Sequence, residues 1–391
     1  DESIYRYFPS YPMRESSKDN TLIKIAVYIL PLCYLLYVMF KSVFNSDTDV
    51  SGRRAILLVV WLMAGYAVGM KSKPVQPAVS ALIFSIYTLL IYILNSSIVG
   101  GNIVSILSCI LVWPVAFYNA MNIRFNEAAT QLVAILMGVT CNFMAYVWNV
   151  GIRSDNLFNY VAAFNSIYYI LIAYLYIFLI KKTLIMSVLL AYPLMTLISS
   201  GKTTCLILSI LIVLYFAYRR FKISSPIQKI EICLILFAAV LWGFNNLELN
   251  DIIESATMDF DNGGSGRLDI WNEAIGIISA FSLDSIFGHG YGATVALLGI
   301  GAHNDFLEIF IDFGAIGLFL YLIFVYQLVA SISKFNDFPN YKIAYTLSII
   351  MFIVLSCVSK FVGTQVQFLL FTTFWGLLLS KNDKRITHGD N

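Results

Sequence analysis

The chain has 391 residues, of which 59% are hydrophobic and only 12% charged, with a mean hydropathy of +0.78. Soluble domains carry about 25% charged residues, so a water-soluble globular protein is excluded. The formal net charge of +2 comes from basic residues spread along the whole chain rather than gathered in a patch, which gives no support to a nucleic-acid partner.

Apolar runs predict an all-α, polytopic membrane fold of about twelve transmembrane helices, near 22–43, 55–70, 78–95, 103–120, 128–149, 162–180, 184–199, 204–218, 230–246, 305–330, 343–358 and 364–380. Pro31, Pro114 and Pro193 fall inside these runs, where neighbouring helices can satisfy freed carbonyls and a kink is the usual result. The runs divide the chain into an N-terminal segment (1–21), nine spans (22–246), one long loop (247–304), three further spans (305–380) and a tail (381–391). Residues 1–21 are polar and show no cleavable signal, so the first span is expected to act as the targeting signal.

Orientation follows from Lys and Arg, which are retained in short cytoplasmic loops and depleted from exported ones. With both termini inside, eighteen of the 25 basic residues fall on the cytoplasmic side, including Lys181, Lys182, Arg219, Arg220, Lys334, Lys342 and Lys381. Seven remain outside: Lys41, Arg53, Arg54, Arg153, Lys202, Arg267 and Lys360. The six cysteines lie in apolar runs without a Cys-x-x-Cys pair, and His289, His303 and His388 sit at no ligand spacing. They predict small hydrophobes in helix packing and no protein-built metal site.

The segment 247–304 is the one long excursion, placed on the extracytoplasmic face, and loops of that length are usually functional. Gly264, Ser265 and Gly266 precede a run in which Leu268, Trp271, Ala274, Ile275 and Ile278 recur at helical spacing, with Asp269 and Glu273 opposite. This predicts an amphipathic helix capped by Ser265 and beginning at Arg267, whose guanidinium would join free backbone N–H groups in an anion site. GHGYG follows at 288–292, then AHNDFLEIF opens the next span. Continuing that helix back to His303 puts His303 and Gly314 on one face, with Asn304 and Glu308 on the same side, and Gly314 and Gly317 small enough for close approach of a helix or lipid. Asp305, Glu308 and Asp312 form a carboxylate stripe at i, i+3 and i+7; carboxylates inside a span cost a few kcal/mol each unless paired or near the interface.

GSGR-x-x-x-W, GHGYG and AHN-x-x-L-E-x-x-x-x-x-G-x-x-G together resemble the superfamily of bacterial O-antigen polymerases and O-antigen ligases. The motifs run from Gly264 to Gly317; the first 160 residues match in architecture alone. The resemblance implies a GT-C-like, metal-independent glycosyltransferase without cofactors. It would act on undecaprenyl-diphosphate-linked glycans at the periplasmic face of the bacterial inner membrane. A polymerase passes the growing chain to the next lipid-linked repeat unit, with a chain-length regulator protein as a further partner; a ligase passes it to lipid A–core. Arg267 matches the family's loop arginine and His303 its loop histidine. Where the family often has an arginine soon after a serine, SSGKTT puts Lys202, a point charge without the bidentate fork.

Displacing a lipid diphosphate requires positive charge at the leaving oxygen, and the outward basic residues are few. The expected substrate-binding set is therefore Arg267, Lys202, Arg153 and Lys360, with Asn304, Tyr291 and Asp305; the expected catalytic set is His303, Arg267 and Glu308. His303 is the simplest general base, with Glu308 or Asp305 able to orient or replace it. Tyr168, Tyr169, Tyr291 and Trp271 are of the type that stacks on sugars. Polymerase is preferred to ligase because the outer face carries little positive charge for a phosphorylated core. A flippase or other transporter would need inverted repeats or midplane ionisable groups, and a scaffold leaves the Arg/His loop without a role.

Overall fold

The computed structural model describes residues 76–95, 103–123, 125–152, 167–181, 266–280, 282–335, 339–362 and 365–382, with scattered residues between 21 and 33 and between 185 and 234. The predicted span at 55–70, most of those at 22–43, 184–199, 204–218 and 230–246, and the candidates Arg153 and Lys202 lie outside the described residues. All regular structure among the described residues is helical: α1 (Gln76–Leu94), α2 (Ile103–Asn122), α3 (Glu127–Ile152), α4 (Ile167–Phe178), α5 (Arg267–Ser279), α6 (Leu283–Phe287), α7 (Ala293–Leu298), α8 (Asp305–Ala330), α9 (Pro339–Val358) and α10 (Gln365–Leu379). Three stretches, Pro77–Leu94, Asp305–Phe335 and Tyr341–Val358, are long and apolar enough to cross a membrane. Pro114 sits inside α2 without ending it.

Lipid gives helices little hydrophobic reason to associate, so close packing must hold them. α10 lies along α2, where Gly376 brings the helices together: a Cβ there would stand 2.6 Å from that of Ala120 and 2.8 Å from the Phe117 carbonyl. Around this contact the rings of Trp113, Phe324, Phe352, Phe368 and Trp375 interlock at centroid separations of 4.6 to 6.5 Å, within the favourable range for aromatic pairs. The Trp375 indole N–H, wholly buried, donates to Ser348 Oγ at 2.8 Å. α8 packs against α1 and α3 against α4.

The helix ends collect at two poles. At one, Glu127 of α3 accepts from the Tyr341 hydroxyl (2.5 Å) and pairs with Lys181 (2.9 Å), while Lys381 donates to the Phe125 carbonyl at 2.5 Å. At the other, the ends of α1 and α9 meet the start of α8 and the short helices α5 to α7. Lys181 and Lys381, predicted inside, thus share one pole, and Lys360, predicted outside, stands at the opposite one.

Candidate functional site

The head of α8 organises the second pole. His303 precedes the helix with φ 52°, in the left-handed region that non-glycine residues seldom occupy. Asn304 is the N-cap, its Oδ1 accepting from the backbone N–H groups of Phe306 (3.0 Å) and Leu307 (3.2 Å). Its amide also donates to the Cys357 carbonyl at 3.2 Å, tying α8 to the end of α9. His303 and Gly314 do not share a helix face as expected: His303 lies outside the helix, and Gly314 (φ 68°, ψ −174°) breaks it.

The three carboxylates of the stripe are buried, and each holds a different stretch of chain. Asp305 Oδ1 accepts from the N–H groups of Phe361 (2.7 Å) and Val362 (3.0 Å), beyond α9. Glu308 Oε1 accepts from the His303 N–H at 3.2 Å, and its Oε2 forms an ion pair with Lys360 Nζ. Asp312 accepts from Gly292 N–H (2.9 Å) through Oδ2, and from the N–H (2.8 Å) and hydroxyl (2.7 Å) of Thr294 through Oδ1. Burial alone would lower the Lys360 pKa, but the charges of Glu308, Asp312 and Asp305 outweigh it and hold the ammonium above its ordinary value.

The break at Gly314 explains how GHGYG reaches this depth. Carbonyls of the broken turn are taken up from outside the helix: Ile311 O by His289 N–H (3.0 Å), Asp312 O by Gly290 N–H (2.9 Å) and Phe313 O by the Tyr87 hydroxyl (3.1 Å). Tyr87 also donates to Phe287 O, and the Asn95 amide to Gly288 O. A Cβ on Gly314 would collide with the backbone of Ile286 and Gly288, and one on Gly288 with that of Asp312 and Phe313. The close approach predicted at Gly314 is thus made by a loop, while Gly317 faces Phe313 and Tyr87.

Beneath the loop lies a pocket of about 440 Å³, counting its open mouth, walled by residues that include Phe84, Thr88, Cys109 and Trp113 of α1 and α2, Tyr291, the three carboxylates and Lys360. Of the predicted site residues, Tyr291, Asp305, Glu308 and Lys360 meet here. Asn304 serves as the cap, and His303 touches the group through its backbone N–H. Arg267 does open α5 as predicted, half-buried, but does not line the pocket. The N-cap is Gly266 in the left-handed region with no side-chain cap, not Ser265, because the chain enters α5 through a conformation glycine adopts freely. Trp271 anchors α5 by donating to Ala302 O at 2.8 Å, and Ala274 is buried; Leu268 and Ile275 of the predicted apolar face are half-exposed, and Asp269 and Glu273 opposite are exposed. Sequence reasoning read Asp312 as part of the stripe but gave it no role, and missed Thr88, Cys109 and Trp113. Those three sit in apolar runs whose composition carries no sign of a pocket.

Comparison with known proteins adds one finding: residues 160–322 match a family described as O-antigen ligase. Curated proteins give no match. The matched stretch runs from α4 into α8 and contains Arg267, the GHGYG loop, His303 and the whole carboxylate stripe; Lys360 lies beyond it. The match covers less than half of the chain and supports, over residues 160–322, the resemblance to the O-antigen polymerases and ligases.

Proposed function

We propose that the chain is a polysaccharide polymerase that transfers a growing glycan from undecaprenyl diphosphate to the next lipid-linked repeat unit at the periplasmic face. The observation that carries this reading is that the matched stretch holds Arg267, His303 and the buried carboxylates of α8, gathered at one pole of an apolar helical bundle. Helices of about twelve spans in a GT-C-like arrangement, with both termini cytoplasmic, complete the proposal.

In the reaction an acceptor hydroxyl oxygen bonds to the donor's anomeric carbon as the bond from that carbon to the diphosphate oxygen breaks. The hydroxyl proton passes to a base, and the diphosphate leaves with the electron pair, giving inversion at the anomeric carbon. Arg267, beside the uncapped N-terminus of the 13-residue α5, supplies positive charge for the leaving group; Lys202 and Arg153 are further candidates. His303 is the proposed base, with its backbone held by Glu308. Asn304, Tyr291 and Asp305 position the acceptor side. No metal has a part in this scheme.

The test gives the purified protein lipid-diphosphate-linked repeat units alone. Chain lengthening is the expected result. No product until lipid A–core is added would replace polymerase with ligase, the second reading favoured by the description of the matched family.

A further inference from the structure

We infer that the short helix α6 is a membrane anchor, lying flat at the boundary of the bilayer with Leu283 and Phe287 set among lipid acyl chains. Such seating stands whether or not the chain transfers a glycan. The level of α6 follows from the length of its neighbour. The apolar stretch Pro77–Leu94 of α1 has 18 residues, which is about 27 Å of helix against a hydrocarbon core of about 30 Å. α1 has no turns to spare above the bilayer, so whatever docks on its last turns lies at the membrane boundary. α6 does so: the Tyr87 hydroxyl donates to Phe287 O at 2.9 Å and the Asn95 amide to Gly288 O at 3.0 Å. It also packs on α8, against the break at Gly314.

The surface that α6 presents continues one already turned to lipid. Leu82, Ile86, Leu90 and Leu94 of α1 are exposed and recur every four residues, and a helix this apolar turns such a face to the acyl chains. Tyr87 stands at the margin of that face by its place in the helix. Beside it, Leu283 is 74% and Phe287 48% exposed. Four residues apart, they share one side of α6, opposite the buried Ser285. Water offers these two side chains nothing, whereas lipid removes their apolar surface from it. Asp284 is exposed as well and sets the depth. A carboxylate deep among acyl chains is costly, so Leu283 and Phe287 point toward the chains while Asp284 lies level with the headgroups. Continuity with a face that meets lipid along the whole of α1 favours lipid over a protein as the occupant. Because α6 leads directly into GHGYG, its anchoring fixes the height of that loop above the bilayer.

The test uses the unmodified full-length chain in phosphatidylcholine nanodiscs, one sample carrying a diazirine on the lipid acyl chain and another a water-soluble diazirine. After photolysis the labelled residues are mapped by mass spectrometry. The acyl probe is expected to label Leu283 and Phe287 together with Leu90 and Leu94. With the aqueous probe, label is expected to be lost at all four and to appear on the exposed Asn272 and Glu273 of α5. Acyl label on Leu90 and Leu94 but not on Leu283 and Phe287 overturns the inference, as does its absence from all four. Aqueous label on Leu283 and Phe287 does the same. Masking of those two from both probes in discs that hold two chains would give the face to a second copy and overturn it as well. In Leu283→Gln/Phe287→Gln the acyl label on α6 is expected to fall while that on α1 stays, which shows that the variant still inserts; an unchanged yield on α6 removes the anchoring role.

Discussion

His303 combines a strained backbone with a proposed chemical role, and two substitutions separate them. Its φ of 52° costs a non-glycine residue roughly 1–2 kcal/mol, which His303→Gly relieves and His303→Ala retains. The glycine variant is expected to melt no lower than the parent and the alanine variant no higher, while both lose glycan transfer; full activity in either removes His303 from the chemistry. The Glu308–Lys360 pair behaves differently. Removing one partner of a buried pair costs about 3–5 kcal/mol through the charge left behind, so Lys360→Met should lower the melting temperature sharply and Glu308→Gln/Lys360→Met should recover most of the loss. Because the folded Lys360 pKa lies above its ordinary 10.5, the pair's stabilisation is complete below that pH and is lost only as pH rises through the raised folded value. Melting should therefore show the pair's full contribution around neutrality, with no pH dependence from Lys360 there, and a pair-dependent fall only in strong alkali. The stripe of Asp305, Glu308 and Asp312 was legible in its spacing, but its partners were not. Asp305 and Asp312 accept from backbone N–H groups of remote loops, and backbone donors leave no mark on a sequence.

Among the elements, α8 departs most from its sequence. Its apolar run reads as one continuous span, whereas Gly314 adopts a conformation open essentially to glycine alone. Gly314→Ala should cost at least about 1–3 kcal/mol from backbone strain, with the collision against Ile286 and Gly288 adding to it. Hydrogen exchange at the Gly290 and Thr294 amides is expected to accelerate in that variant; unchanged protection would mean that the loop docks independently of the break. The start of α5 at Arg267 was readable because Gly-Ser-Gly ends where helical periodicity begins, but its cap was not. Propensity favours serine, yet at Gly266 the backbone enters with φ 80°, and only the folded chain reveals that angle. Gly376 belongs to the same class: it sits in an apolar run without punctuation, and its meaning lies in Ala120 and Phe117 on another helix.

At the scale of the whole molecule, Lys181 and Lys381 share one pole of the bundle and Lys360 stands at the other. Counting Lys and Arg per loop put Lys181 and Lys381 on one side and Lys360 and Arg267 on the other, and hydrogen bonds group Lys181 and Lys381 around Glu127 and the adjoining turn. Placing that pole inside the cell predicts that a membrane-impermeant thiol reagent labels Asp284→Cys in intact cells and labels Lys342→Cys only after permeabilisation; the opposite pattern would invert the topology. The docking of GHGYG also limits how ligands can travel. A mobile lid swings because its backbone is satisfied by water or by itself in the open state. Here the cover completes the hydrogen bonding of the helix below it, through His289 and Gly290 to Ile311 and Asp312. Lifting it would strip donors from carbonyls in a low-dielectric setting, at several kcal/mol each. The segment is a fixed wall rather than a door, and it leaves traffic to the side of Lys360, whose side chain keeps 26% of its surface open.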